Sequence, residues 1–213
     1  MRGFGAVLWK ELRQAFATPL APTAVAVYWA ASGYFFTFNV VFVSAVHMVT
    51  AFHNMSLLLM LMTPLLTMRA FAEERSSGTL EHLLTLPLDL GAIVLAKYVA
   101  LLVVLALMLA GTASAAGLLA LYAEPDLGPV LGGYLGVFLL GAAFIAIGLL
   151  ISSLCANQMT AAVLAWGVLL GLWFADYLAS LAADSRAAVL TRHVSLSVHY
   201  VDLIRGVLSS QSV

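Results

Sequence analysis

Three long stretches of this chain contain no Asp, Glu, Lys or Arg, and they constrain it to a membrane protein. They cover residues 14–68, 98–123 and 127–175 of the 213. An uncharged apolar run of about 20 residues crosses the roughly 30 Å hydrocarbon core as an α-helix. The first and third stretches are long enough to cross twice and the second once. The sequence therefore predicts an all-α, polytopic transmembrane bundle with five spans.

The five predicted spans form one domain, residues 1–213, because no segment has the polar surface of a separate soluble domain. Only 9% of the residues are charged and 63% are hydrophobic. The predicted spans are Ala21–Ala45, Met55–Met68 with an earlier start near Val49, Leu90–Tyr122, Val130–Leu154 and Met159–Ala179. The net charge of −1 argues against a nucleic-acid partner, which requires a basic stripe.

The sequence contains no pattern that predicts catalysis, a metal or a cofactor. Cys155 is the single cysteine, and no CxxC or Cys/His ligand spacing occurs. There is no Walker A loop, so we do not expect the chain to hydrolyse ATP itself. A copper site built from His47, His53 and nearby methionines is the less favoured interpretation, since methionine is also an adaptable packing residue.

Residues 1–18 precede the first span and have amphipathic spacing. Apolar residues recur every fourth position, whereas the basic residues point elsewhere. The residues of this predicted interfacial helix are Phe4, Leu8, Lys10, Leu12, Arg13 and Phe16. Such a helix lies in the membrane surface, and Pro19 and Pro22 then turn the chain into the bilayer. An ordinary juxtamembrane tail is the alternative.

The positive-inside rule predicts a cytoplasmic N-terminus in the cell inner membrane. With that orientation the basic residues between positions 2 and 75 lie inside, and the short outer loops hold His47, His53, Glu124 and Asp126 without Lys or Arg. Lys97 is expected to snorkel to the cytoplasmic surface. The tail, residues 180–213, then falls outside as interfacial helices, although it carries three Arg. Asp176, near the outer end of span five, is expected to reach headgroups or water rather than a transported substrate.

The charged stretch between spans two and three, residues 69–89, predicts a short cytoplasmic helix. Ser76, Ser77 and Gly78 break the preceding structure, Thr79 or Ser77 can cap the next helix, and Pro87 stops it. Over Thr79–Leu86, the helix has Leu80, Leu83 and Leu84 on one side and Glu81, His82 and Thr85 on the other. Its apolar side would dock a partner, while Glu73, Glu74 and Arg75 set the register. A loop that only solvates and caps helix ends is an equal alternative.

The segment Phe71–Pro87, followed by Ile93–Lys97, resembles the signature of ABC-2-type transporter permeases, and more narrowly that of gliding-motility-type and related bacterial permeases. Three further stretches are similar to that group: Lys10–Arg13 leading to Pro19 and Leu20, Gly148–Gln158, and Ser195–Gly206. The resemblance covers nearly the whole chain, and the order of the motifs is its most specific feature.

The resemblance implies a permease that pairs with a second permease copy and binds cytoplasmic ABC ATPase subunits. It implies that Glu73–Leu86 is the coupling segment that contacts the ATPase and that Phe4–Phe16 is an interfacial helix. ATP binding would then push on Thr79–Leu86 and move substrate at the dimer interface, outward. The alternatives are a haem- or metal-handling membrane protein and an assembly scaffold with a permease fold.

Two features depart from the family pattern. The family usually has an acidic residue before Asn-Gln, where this chain has Ala156 before Asn157 and Gln158. The family also has a sixth span after the Arg-Gly motif, whereas this sequence stops at Val213. We expect truncation before that span rather than a five-span variant.

Overall fold

The computed structural model describes residues 2–42, 48–79, 89–122 and 127–181. Within these ranges the chain forms six helices of 16 residues or more and one short helix, with no strand. They are α1 (Arg2–Ala17), α2 (Leu20–Phe42), α3 (Met48–Thr67), α4 (Ala72–Ser76), α5 (Leu90–Tyr122), α6 (Leu127–Leu154) and α7 (Gln158–Leu181). The all-α prediction is confirmed.

Three segments are long and apolar enough to cross a membrane among the described residues: Thr50–Ser76, Leu90–Ser114 and Val130–Leu154. The first segment contains most of α3 and all of α4, the second lies in α5 and the third lies in α6. A shorter apolar stretch, Gln158–Phe174, lies in α7. The sequence prediction of spanning helices is therefore confirmed for three segments.

Helix α3 is the central element of the bundle. It packs against α2, α6 and α7, while α5 packs against α1, α2 and α6. Large side chains that are almost fully buried fill the space between these helices: Tyr28, Phe52, Leu59, Leu105, Met108, Phe144, Ile145 and Leu169. Burial of an apolar side chain of this size contributes roughly 1.5–3 kcal/mol in water, but lipid is itself apolar, so close packing rather than water exclusion holds the spans together.

Helix α1 lies against α5 and α2 rather than standing apart from the bundle. Thr18 and Pro19 separate α1 from α2, and Pro22 lies in the first turn of α2, where its missing N–H has no intrahelical partner to lose. The break between α1 and α2 thus occurs at the prolines where the sequence predicted a turn. It places the polar residues of α1 beside the first turns of α5.

Some predicted elements lie outside the described residues. They are His47, most of the predicted coupling helix (Leu80, Glu81, Leu83, Leu84, Leu86 and Pro87), the acidic loop with Glu124 and Asp126, and the tail from position 182. The contacts of the Asp176 side chain are also outside the described part.

Candidate functional site

A cluster of two lysines and two glutamates joins three helices at one end of the bundle, and we call it the charge junction. It consists of Lys10 and Glu11 from α1, Glu74 from α4 and Lys97 from α5. Lys97 Nζ lies 3.0 Å from Glu11 Oε1 and 3.0 Å from Glu74 Oε1. Lys10 Nζ lies 3.2 Å from Glu74 Oε1 and 3.7 Å from Glu11 Oε1. The four formal charges balance.

Lys97 is the centre of the charge junction, and the expectation that it snorkels to the surface is wrong. Its side chain is 2% exposed, although it is the eighth residue of the strongly apolar helix α5. The ammonium group also lies 5.2 Å from the centroid of the Phe71 ring, within cation–π range. A buried ammonium group requires a charge partner, and here two carboxylates from other helices replace water.

The junction borders a small cavity of about 80 Å³ that contains further charged groups. Arg69 and Glu73 line it, and Arg69 Nε lies 3.8 Å from Glu73 Oε2. Among the described residues, Arg69 Nε and Glu74 Oε2 are buried without a hydrogen-bond partner. Charged and apolar side chains share its lining, and a cavity of this size is large enough to hold water beside such atoms. This end of the bundle therefore combines a charge-balanced contact with a small cavity rather than a fully packed apolar core.

Helix α4 is fastened to the last turn of α6. The backbone N–H groups of Phe71 and Ala72 both donate to Ser152 Oγ at 3.2 Å, and the Ser152 hydroxyl donates to Met68 O at 3.3 Å. The first N–H groups of a helix lack intrahelical partners. Here the hydroxyl oxygen of Ser152, on another helix, is the acceptor for two of them. Arg75 Nη1 adds a bond to Ser153 O at 3.2 Å, which suits the negative end of α6.

The chain is exposed from Arg75 to Thr79. Gly78 has φ +72°, a left-handed conformation that favours glycine at the end of a helix. The Ser77 and Thr79 hydroxyls both donate to Glu74 O. The predicted break at Ser76–Gly78 is thereby confirmed, although the side chains of Ser77 and Thr79 bond backward to α4.

The residues on both sides of the predicted coupling helix are fixed to each other. Glu74 precedes it, Lys97 follows it, and their side chains form the 3.0 Å ion pair. Asp89 lies directly before α5, and its carbonyl accepts bonds from the N–H groups of Ala92 and Ile93. The segment between Thr79 and Asp89 therefore starts and ends on helices that are tied together.

The structure brings some of the sequence-predicted site residues together and separates others. Glu74 is buried in the junction, Glu73 is half-buried beside Arg69, and Arg75 is exposed. In α1, Lys10 joins the junction, Phe4, Leu8 and Leu12 are partly buried, and Arg13 and Phe16 are exposed. The Glu74 carboxylate thus pairs with two lysines of its own chain. The sequence had instead suggested that Glu74 sets the register of a partner protein.

Sequence reasoning missed Glu11 and the pairing of Lys97. A signal for Lys97 was present, since it is the only charged residue between Asp89 and Glu124, and an ionisable group inside an apolar helix calls for a partner. The identity of the partner could not be read from the pattern. For metals, no three His, Cys, Asp or Glu side chains of the described residues are grouped closely enough to hold an ion.

The comparison with protein families gives a match over most of the chain. The family model of ABC-2 family transporter proteins matches residues 32–205. This chain belongs to the ABC-2 transporter family. Together with three candidate spans, this makes it a membrane protein of an ABC-2 transporter. No curated protein and no solved structure gives a significant match.

The resemblance noted from the sequence is thereby confirmed at the level of the ABC-2 family. Members of this family are typically non-catalytic membrane subunits and in general work with an ATPase partner. In this ABC-2 transporter protein, the matched range includes Glu74 and Lys97 of the charge junction, whereas Lys10 and Glu11 come before it.

Proposed function

We propose that this chain is the permease subunit of an ABC exporter, driven by separate cytoplasmic ATPase subunits and paired with a second permease copy. The ATPases would contact the segment around Glu73–Pro87, and ATP binding would push this segment toward the bilayer. The energy enters as a shift between two conformations of the bundle, because the chain has no ATP site motif of its own.

The proposal includes five spans, with α2 and α7 added to the three candidate segments. Helices of 23 and 24 residues are about 34–36 Å long at 1.5 Å per residue, which matches a hydrocarbon core of about 30 Å. Helix α2 contains no charged residue, and α7 contains only Asp176. Both present large apolar side chains outward, including Tyr34, Phe38, Val163 and Phe174. Lipid or a second permease copy would cover these surfaces.

The distribution of positive charge supports a cytoplasmic N-terminus in the inner membrane. Lys10, Arg69 and Lys97 lie around the charge junction and its cavity, and Arg75 lies on the same short helix as Glu74. The predicted outer loops contain no Lys or Arg. Basic residues are retained on the cytoplasmic side.

The observation that carries the coupling proposal is the Glu74–Lys97 ion pair. A push on the segment between Thr79 and Asp89 acts on α4 and α5, because the Glu74–Lys97 pair joins these two helices. Lys97 also contacts Glu11, so the push reaches α1 as well. Ser152 passes the same displacement to α6. Because packed elements move as units, a small movement of the segment becomes a rearrangement of the bundle.

The test is the double substitution Leu83→Asp with Leu84→Asp. Charges on the proposed docking side should lower the amount of ATPase that co-purifies by at least about tenfold, since two apolar contacts of the proposed interface would be lost. Thr85→Asp is the matched control, because it adds the same charge on the opposite side of the predicted helix. Membrane insertion should be normal in both variants. Normal ATPase yield with the double variant would refute the coupling proposal.

A further inference from the structure

A wide apolar groove runs between the beginning of α5 and the end of α6. Its volume is about 720 Å³, within the range of ligand sites. Its wall includes Phe71, Val94, Leu95, Ala146, Leu150 and Ser153. Val94, Leu95 and Leu150 are between 47% and 61% exposed. Because both helices belong to candidate spans, an exposed apolar wall between them is suited to the acyl chains of the bilayer, and we call it the lateral groove.

One end of the lateral groove carries a cation, Arg75. The backbone N–H of Arg75 donates to Phe71 O, so the two residues lie one turn apart on α4. The guanidinium group donates to the carbonyl of Ser153, which lines the groove. Arg75 is exposed, and it forms no ion pair with the described residues. Within the described part of the chain, the Ser153 carbonyl takes one of its five N–H donors, so the others can bind an anion.

An anion, Asp89, lies at the same end. A Cβ atom added to Gly91, which lines the groove, would lie 3.2 Å from Asp89 Oδ2. The carboxylate therefore covers Gly91 at the start of α5. Asp89 is exposed and makes no ion pair within the described part of the chain. The apolar wall thus ends at one positive and one negative group.

We infer that the lateral groove holds one phospholipid with an amine headgroup, such as phosphatidylethanolamine. An acyl chain lies along the apolar wall, the phosphate binds Arg75, and the ammonium group binds Asp89. Arginine matches the geometry of a phosphate, and basic pockets between spans bind lipid headgroups. This inference goes beyond the proposed function and rests only on the chain's being a membrane protein.

The headgroup chemistry predicts selectivity that needs no mutation to test. The quaternary ammonium of phosphatidylcholine has no N–H donor for Asp89, and phosphatidylglycerol has no cation. The full chain would be incorporated into vesicles that contain equal parts of all three lipids and extracted in mild detergent. Lipid still bound would be counted by native mass spectrometry. We expect about one phosphatidylethanolamine per chain and at least about fivefold less of each other lipid, the loss expected for one charged hydrogen bond.

Variants locate the bound lipid. Ala146→Phe fills the lateral groove and should lower lipid retention at least about fivefold, whereas Ala106→Phe, on an exposed part of α5 outside the groove, should not. Arg75→Gln should lower retention by a similar factor, whereas Arg13→Gln, an exposed cation on α1, should not. Asp89→Asn should remove the preference for phosphatidylethanolamine over phosphatidylcholine.

Three results would overturn the inference. They are equal retention of the three lipids by the wild-type chain, equal retention by Ala146→Phe and Ala106→Phe, and a protein adduct at the groove. For the last, a photoreactive benzoylphenylalanine replaces Val94. A product with the mass of chain plus lipid supports the lipid, whereas one with the mass of two chains identifies a second permease copy as the occupant. These readouts do not depend on the ATPase, so the coupling proposal can fail separately.

Discussion

Lys97 shows most clearly how a single residue can control this bundle. Removing an ammonium group from water costs several kcal/mol even after relaxation of the protein. The cost is offset because two carboxylates lie 3.0 Å from Lys97 Nζ and an aromatic ring lies 5.2 Å away. The arrangement is stable only while all three helices keep their positions. Breaking the contact from any side therefore leaves a buried charge without its partner.

Lys97→Met should destabilise the protein by about 3–5 kcal/mol, since it leaves Glu11 and Glu74 without their buried partner. Lys10→Met is the matched control, because Lys10 contacts the same two carboxylates but is 50% exposed. It should cost at most about 1 kcal/mol, as exposed ion pairs do. Resistance of the purified protein to denaturant measures both. If the two variants were equally stable, Lys97 would not be the centre of the junction.

At the residue scale, the sequence indicated which groups were unusual but not which groups they contact. Lys97 was noticeable as a lone charge in an apolar stretch, but its contact with Glu11 joins positions 86 residues apart. Ser152 gave no signal, because a serine in a transmembrane helix usually bonds to its own backbone. Its bonds to Phe71 and Ala72 depend on how α4 and α6 meet.

At the element scale, glycines allow α6 to approach its neighbours closely. A Cβ on Gly133 would lie 2.1 Å from the Phe52 ring, and one on Gly141 would lie 2.9 Å from Leu105. At Gly148 a Cβ would lie 2.3 Å from Thr67 Oγ1 and 2.9 Å from Thr67 Cβ. Small residues permit such contacts between spans. These three glycines face α3 and α5 from one helix.

Gly148→Ala should lower stability by about 1–3 kcal/mol, because the buried, branched side chain of Thr67 cannot move away without shifting α3. Gly167→Ala in α7 is the matched control. A Cβ there meets nothing within 4 Å, so the gain in helix propensity should stabilise the chain by about 0.5–1 kcal/mol. Thermal unfolding of both variants gives the comparison. A loss of stability in both, or in neither, would contradict the close contact of α3 and α6.

The limits of the long elements were largely predictable, whereas the short one was not. The predicted span Leu90–Tyr122 coincides with α5, and span four ends at Leu154 as predicted. Charge and proline mark both limits of α5, because both are costly inside a helix in lipid. At the end of α6 the signal is the uncharged polar turn, where Asn157 caps α7. The five residues of α4 were missed, because such a short helix depends on tertiary contacts rather than propensity. Those contacts come from Ser152 and the charge junction.

At the scale of the whole molecule, the charge-free stretches indicated the class of protein but not the arrangement of its helices. Helices such as α5 and α6 are apolar on all sides, so no amphipathic stripe shows which neighbour they contact. The central position of α3 was therefore not predictable. The distribution of charge was more informative, because it places the charge junction, Arg75 and Asp89 at one end of the bundle. That end also carries the proposed coupling segment and the lateral groove.

The orientation of the bundle can be tested by labelling introduced cysteines, because the chain has only one cysteine of its own. Cys155 is the single cysteine and is buried, so a Cys155→Ala background has no thiol. In that background, Asp126→Cys should react with a membrane-impermeant maleimide in intact cells, because the proposed topology puts this loop outside. Ser77→Cys is the paired control, because Ser77 is exposed and the proposed topology puts it on the cytoplasmic side, where it should react only after the cells are opened. Reaction of Ser77→Cys in intact cells would invert the topology and would put the proposed coupling segment out of reach of a cytoplasmic ATPase.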